Sequence, residues 1–272
     1  MKGDSYGVPV NQITVKLLLL FILLSFSLLS CGVIQASDAT PVFPRTSFIF
    51  IEKKLLLHQC GTFQCREKQM SSVASGFIVK ITPHGSYGIT AGHVCENSYP
   101  ILQPPIQKLS NIFVLTLMEK KYRAVVLTYN MESDLCLLYI DGLTKGIKAL
   151  DVSEDPPRAG DKVYNLAAPR GIFIENMVPI FEGRYNGEGS PFAFYSLPAA
   201  GGSSGSMIIN SDGEVVGMVH SVYVRFPNII LSPTYTDLYR FVHYNLYKYE
   251  KYRAVMEDLE LKNIFIPKER VL

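Results

Sequence analysis

From Thr46 onward the chain alternates between apolar runs and turn residues. The runs SFIFIEKKLLL, ASGFIVKI, YGIT, IFVLTLM, YRAVVLTY and DLCLLYI have strand length. They are rich in β-branched and aromatic residues and are broken by turns such as Pro83-His84-Gly85-Ser86. A second series follows Pro156-Pro157-Arg158-Ala159-Gly160: KVYNLAA, FIENMVPIFEGRY, FAFYSL, SMIIN and EVVGMVHSVYV, with Asn210-Ser211-Asp212-Gly213 reading as a hairpin turn. Strands at this spacing with no helical pattern between them predict an all-β barrel or sandwich. The two series divide near residues 146–158, which predicts two barrels packed together, about 46–145 and about 159–235. Only the end is helical in pattern: from Thr236 to Leu261 breakers are few, and Leu238, Phe241, Val242 and Leu246 recur near helical spacing.

One apolar stretch does not belong to this pattern. Leu17 to Leu29 reads LLLLFILLSFSLL, after Lys2 and Lys16, and the uncharged stretch runs for eighteen residues to Ile34. A basic start followed by about 7–15 apolar residues is the pattern of an export signal. Three fates are open: cleavage after Ala36, retention as a short anchor near the lower limit for spanning a bilayer, or lipidation of Cys31 in Leu28-Leu29-Ser30-Cys31. The last stretch looks like a bacterial lipoprotein box. All three send residues 37–272 out of the cytoplasm, periplasmic or secreted, and the reading taken is a protein held at a membrane through its N-terminal segment. Residues 1–36 are therefore read as signal or anchor, 37–45 as linker, 46–235 as the folded domain and 236–272 as a C-terminal helix and tail.

Composition narrows the function classes. With 48% apolar and 18% charged residues the chain is no disordered polyelectrolyte, and a net charge of +2 lacks the basic footprint of a nucleic-acid binder. Apart from Cys31 there are four cysteines, Cys60, Cys65, Cys95 and Cys136, an even number that fits an oxidising compartment. Four cysteines allow three pairings. Cys60 with Cys65 closes a local loop and leaves Cys95 with Cys136; two buried reduced thiols are the alternative for the second pair. The spacings do not suit zinc, and no metal or organic cofactor is expected.

Three segments carry chemistry. Ile89-Thr90-Ala91-Gly92-His93-Val94-Cys95 runs an apolar strand into a histidine. Glu132-Ser133-Asp134-Leu135-Cys136 sets an acid at the mouth of an apolar strand. Ala200-Gly201-Gly202-Ser203-Ser204-Gly205-Ser206 holds a serine in a glycine-rich turn. A serine hydroxyl is a weak nucleophile until a neutral imidazole takes its proton, and a buried carboxylate holds that imidazole in the right tautomer. Ser204, His93 and Asp134 fit these roles. Glycines let backbone N–H groups converge on an oxyanion, and Gly202 N–H and Ser204 N–H are the expected pair. Asp141, Asp151, Asp155 and Asp161 are worse placed in the strand pattern than Asp134. Gly201-Gly202-Ser203-Ser204-Gly205 also satisfies the nucleophile elbow of α/β-hydrolases, but there a helix follows the serine and the histidine comes last.

These segments resemble the His, Asp and nucleophile motifs of trypsin-like serine peptidases. Ala74-Ser75-Gly76-Phe77, Arg158-Ala159-Gly160-Asp161-Lys162-Val163 and Asp212-Gly213-Glu214-Val215-Val216-Gly217 resemble further stretches of the bacterial periplasmic high-temperature-requirement proteases, so the likeness runs from about Ser72 to Tyr235. It implies two packed six-stranded antiparallel β-barrels with a C-terminal helix docked on the second. It also implies a serine endopeptidase that cuts protein or peptide substrates through an acyl-enzyme. Pro198 and Ala199 would line the base of the primary pocket, and His220 and Ser221 the strand that pairs with substrate. No carboxylate awaits Lys or Arg there, so a small or apolar P1 residue is implied. The staphylococcal glutamyl endopeptidases, also similar, read a P1 carboxylate with a histidine in this strand, but His220 is one place out of register for that. Departures are Ser203 where digestive enzymes carry Asp, Ser206 for the second Gly, and Met207 for Pro. They leave room for an inactive trypsin-like binding module; an esterase on the same triad is a weaker alternative. With fewer than forty residues after Tyr235, no PDZ-like module is expected there.

Overall fold

The structure, a computed structural model, describes residues 41, 43–60, 65–96, 106–223, 225–226 and 228–261; the side chains of 57–60, 65–68, 106–109 and 255–261 are outside that description. The leader, with Cys31, lies outside it, as does the Cys60–Cys65 bridge. Among the described residues no helix is long and apolar enough to cross a membrane.

Six strands form the first barrel: β1 (Phe48–Cys60), β2 (Cys65–Ile81), β3 (Gly85–Ala91), β4 (Ile106–Leu115), β5 (Lys121–Asn130) and β6 (Leu135–Asp141). They close in the order β1-β2-β3-β6-β5-β4, with β4 returning to β1. β1 and β2 are longer than the apolar pattern predicts, and their pairing continues to Cys60 opposite Cys65. β3 is buried along its whole length. It pairs with β6 so that Thr90 faces Cys136 and Ala91 faces Leu135.

The second unit comprises β7 (Lys162–Leu166), β8 (Ile180–Gly189), β9 (Phe192–Ser196), β10 (Met207–Ile209), β11 (Val215–Met218), β12 (Ser221–Val222) and β13 (Ile229–Pro233). The expected closed barrel is a seven-stranded sheet, ordered β11-β10-β7-β8-β9-β13-β12. Its two end strands are consecutive in the chain. Val219 N–H donates to Ser206 C=O on the β10 side, and His220 N–H donates to Leu231 C=O in β13, both at 2.9 Å. One stretch of chain therefore changes partners between residues 219 and 220. The sheet curls back on itself through that switch, with the Met218 N–H donating to the Ser232 hydroxyl across the gap at 3.1 Å.

Strand periodicity explains how the two units meet. On β7 and β10 successive side chains point to opposite faces, and on β11 a bulge that leaves Val216 outside the one-to-one pairing with β10 shifts the alternation. Val163, Ile208 and Val216 enter the interior of the second unit with Tyr185, Tyr195 and Ile230. Their neighbours Tyr164, Leu166, Met207, Ile209, Val215 and Met218 join the apolar cluster of the first barrel. The connection 142–161 adds Leu143, Leu150 and Val152 to that shared core.

Short helix α1 (Gly92–Cys95) follows β3, and α2 (Tyr235–Leu261) ends the described chain. Thr234 caps α2, its hydroxyl accepting the Asp237 N–H at 3.2 Å. The helix does not simply dock on the second barrel. It starts beside that unit, where Tyr235 N–H meets Glu188, and buries Leu238 and Val242 in the shared core. It then runs over the first barrel, where the Tyr249 hydroxyl donates to Leu127 C=O at 2.7 Å, Arg253 donates to Thr82 at 2.9 Å and Glu250 pairs with Lys80 at 3.2 Å. Its apolar stripe is long enough to bridge the seam.

Met207 stands where the resemblance has proline, and it is fully buried in the shared core. Met207→Ala leaves a cavity there and is expected to lower the unfolding free energy by about 2–4 kcal/mol in urea denaturation. Met118→Ala, at a position 55% exposed, is expected to change it by less than about 0.5 kcal/mol.

Candidate active site

The site forms where the first barrel ends its β3 and β5 strands. Gly92 opens α1 against the β5–β6 turn, with its N–H on the Asp134 C=O at 2.9 Å. A Cβ on Gly92 would sit 2.8 Å from the Asn130 carbonyl oxygen, so only glycine lets the helix come this close. The turn is preset by Asn130, whose side-chain oxygen accepts the N–H groups of Glu132 at 2.8 Å and Ser133 at 3.3 Å. Asp134 then takes a left-handed conformation, φ 51°, which Asp tolerates better than most residues. Its side chain is thereby aimed under α1.

Asp134 is 2% exposed. Its Oδ1 accepts the His93 backbone N–H at 2.8 Å, and both carboxylate oxygens lie 3.0 Å from His93 Nδ1. Because the carboxylate only accepts, a neutral His93 carries its proton on Nδ1, which leaves Nε2 as the basic nitrogen. Cys95 and Cys136 are joined in a disulfide with Cα atoms 6.4 Å apart, so the covalent reading of that pair holds. It ties α1 to β6 two residues beyond His93 and Asp134.

A second imidazole completes the surroundings of Asp134. His220 Nδ1 lies 3.1 Å from Asp134 Oδ2, an ion-pair distance. The contact is off the direction a ring N–H needs for a good hydrogen bond, and this buried Nδ1 has no other partner. The His220 ring packs against Phe192 at 5.2 Å between centroids and faces His93 at 6.4 Å. Burial alone would push the Asp134 carboxyl up. The contacts from His220 and His93 outweigh it and hold the group at about 2.

The serine loop joins β9 to β10. Ser203 N–H donates to Ala200 C=O at 2.9 Å, and Gly202 has φ +98°, the pattern of a type II turn. A Cβ at Gly202 would meet the Ala168 carbonyl at 2.5 Å. One at Gly205, φ +83°, would meet the Ser75 carbonyl and the Thr90 hydroxyl, each at 2.3 Å. Both positions therefore require glycine. Ser75 in β2 pins the loop to the first barrel: its N–H donates to Ser204 C=O at 2.9 Å and its hydroxyl to Gly202 C=O at 2.8 Å. Among the described residues, neither Gly202 N–H nor Ser204 N–H meets an acceptor. Ser203 and Ser206 are fully buried. The Ser203 hydroxyl accepts the Ala200 N–H at 3.3 Å, and the Ser206 hydroxyl accepts Asn165 Nδ2 at 2.8 Å.

His93 and Ser204 face one cleft of about 280 Å³, lined also by Ala200, Gly201, Val219, His220, Ser221 and Val222. Of the four residues anticipated for substrate, His220 and Ser221 border it. Pro198 is exposed and Ala199 half-buried, and neither lines the cleft; Ala200 and Gly201 do. A larger hollow of about 990 Å³ between the β5–β6 turn, Pro191 and α2 holds none of the anticipated residues. Ser75, Asn130 and Asn165 escaped the sequence reading as site residues. Ser75 had a signal in the Ala74-Ser75-Gly76 stretch; the other two are ordinary asparagines in the linear sequence.

Two packed β units, one a closed barrel, with a histidine on an aspartate and a serine in a glycine turn along one cleft, define a class, the peptidases of trypsin-like fold. The chain matches the trypsin-like peptidase domain over residues 74–218, just over half its length, and it belongs to that family. It is 28% identical over 164 residues to a probable periplasmic serine endoprotease, DegP-like, of Pseudomonas fluorescens, which covers 59% of this chain and 31% of that one. The chain thus spans about a third of the length of this curated relative. Among solved structures it is similar to the active form of the Rv3671c protease of Mycobacterium tuberculosis, with TM-score 0.50 and 19% identity over 70% of this chain and 77% of that one. The inactive form of the same protein gives 0.49 and 18%, over 70% and 82%. The likeness to the active form bears on the fold alone.

The Asp134 contacts have a consequence for stability. An unfolded carboxyl titrates near 3.8 and the folded one at about 2, so the unfolded chain binds more protons in between. The associated stabilisation, about 2 kcal/mol, is complete above about pH 4 and is lost as pH falls through about 2. Denaturant titrations from pH 5 to pH 2 are expected to show this slope, and Asp134→Asn to flatten it.

Proposed function

We propose that the chain is a serine endopeptidase acting through Ser204, His93 and Asp134. The observation that carries the reading is His93 Nδ1 at 3.0 Å from both oxygens of a buried Asp134, in the cleft that Ser204 also lines. In the first step Ser204 Oγ attacks the scissile carbonyl carbon while His93 Nε2 takes the hydroxyl proton. Asp134 stabilises the imidazolium so formed and stays ionised itself. The carbonyl oxygen becomes an oxyanion and is met by the Gly202 and Ser204 N–H groups, which no protein acceptor occupies among the described residues. Collapse passes the His93 proton to the leaving amine and leaves an acyl-ester on Ser204. Water, with His93 again as base, then releases the acid.

Ala200, Gly201, Val219 and Val222 make the cleft small and largely apolar, which supports cleavage after small or apolar residues. The substrates would be proteins or peptides. A disulfide beside the site and the basic-then-apolar leader support an extracytoplasmic protein held at a membrane by its N-terminal segment. Ser206 and Met207, two of the three departures from the family pattern, are accommodated by Asn165 and by the shared core.

A fluorophosphonate probe is expected to label the protein on Ser204, and Ser204→Ala to abolish both labelling and peptide turnover, a loss of about 10⁴-fold or more. A folded wild-type protein that takes no label would mark an inactive binding module instead. Gly202→Ala is expected to lower kcat by about 10²-fold or more, because a Cβ there displaces the oxyanion donors. It is read by the same turnover assay on protein whose circular dichroism matches wild type.

A further inference from the structure

The chemistry above uses one imidazole on Asp134, yet two are present. Oδ1 is satisfied by the His93 backbone N–H at 2.8 Å and shares the His93 ring. Oδ2 has two neighbours, His93 Nδ1 at 3.0 Å and His220 Nδ1 at 3.1 Å. A carboxylate buried this deeply needs its lone pairs met by donors. An unprotonated Nδ1 would point a lone pair at Oδ2, so the tautomer that fits carries its proton there. Alignment is imperfect in the unliganded protein, and such contacts commonly tighten when substrate binds.

His220 is also held in place. Its backbone sits at the partner switch between β11 and β12, with its N–H on Leu231 C=O, and its ring is backed by Phe192. Among the described residues the ionisable groups recorded against it are Asp134 and His93. Its side chain is only a quarter exposed, although it borders the cleft.

We propose that His220 is a positioning residue for this active site: it donates Nδ1–H to Asp134 Oδ2 and locks the carboxylate so that both oxygens face the His93 ring. The inference rests on the Ser204–His93–Asp134 reading and adds a second imidazole to it. Without His220, Oδ2 loses a donor and the carboxylate can turn about its own bond, so the base is held less well. Two imidazoles then share one carboxylate.

The test compares His220→Ala with His220→Asn on the full chain, since an asparagine amide can place a neutral donor near the position of Nδ1. With a peptide substrate that wild type cleaves, His220→Ala is expected to lower kcat by about 10- to 100-fold. That is well short of the roughly 10⁴-fold lost when the acid's role is removed. KM is expected to move by less than about threefold, since little of the ground-state contact is lost. His220→Asn is expected to recover kcat to within about threefold of wild type. Unchanged kcat in His220→Ala, a raised KM with kcat intact, or an Asn variant as slow as Ala would each overturn the proposal. The raised KM would make His220 a substrate contact. Should the Ala variant fail to fold, His220→Phe, which keeps a ring against Phe192 and removes the donor, takes its place: a kcat equal to wild type overturns the proposal. Failure of wild type itself to take the fluorophosphonate label is a separate outcome, which removes the underlying triad reading and this proposal with it.

Discussion

A carboxylate with 2% exposure is the constraint around which the site is built. Burying a charge of this kind is costly unless donors replace the lost water. Here the backbone N–H and the ring of His93 after β3 supply them, and the ring of His220 between β11 and β12 stands 3.1 Å from the second oxygen. The second of these imidazoles belongs to the second unit. The surroundings of one buried acid therefore draw on both β units.

The seam between the units is held by two kinds of contact. Alternation along β10, and along β11 as its bulge shifts it, sends Met207, Ile209, Val215 and Met218 across it into a core shared with β1, β2 and β3. Apolar packing of this sort is strong but tolerant in direction. Direction is added by Ser75, whose backbone and hydroxyl grip the serine loop at Ser204 and Gly202 while its own carbonyl accepts the Thr90 hydroxyl. Gly205 lets these groups approach, and any Cβ there would separate them. The serine loop, though built between strands of the second unit, is thus positioned by the first.

Much of this was legible in the residues because it depends on local chemistry. His93, Asp134 and Ser204 stand in segments whose turn residues and strand edges announce them, and Cys95 and Cys136 stand at equal offsets from two of these residues, which raised a bridge as one of two readings before the disulfide decided it. What escaped depends on pairing that no local pattern encodes. The second sheet closes through a partner change at Val219 and His220, which a continuous run EVVGMVHSVYV conceals. With that change unseen, His220 reads as one more strand residue beside substrate, and nothing links it to an aspartate 86 positions earlier. The cleft wall likewise falls to Ala200 and Gly201 and not to Pro198, because the type II turn redirects the chain after Ala199.

The disulfide is best understood through the register of β3 and β6. Their pairing already sets Ala91 opposite Leu135 and Thr90 opposite Cys136, so hydrogen bonds alone bring the chain to within two residues of His93 and within one of Asp134. Sheet pairing does not, however, control the single turn of helix that follows β3. A four-residue helix is too short to hold itself together in water. Gly92 N–H on the Asp134 carbonyl fixes its start, and the Cys95 sulfur bonded to Cys136 fixes its end. Between two such anchors the His93 ring has little freedom except rotation about its own bonds, and Asp134 takes that up through Nδ1. The sheet sets the distance, the two anchors set the turn, and the carboxylate sets the face of the ring, each acting where the one before it leaves freedom.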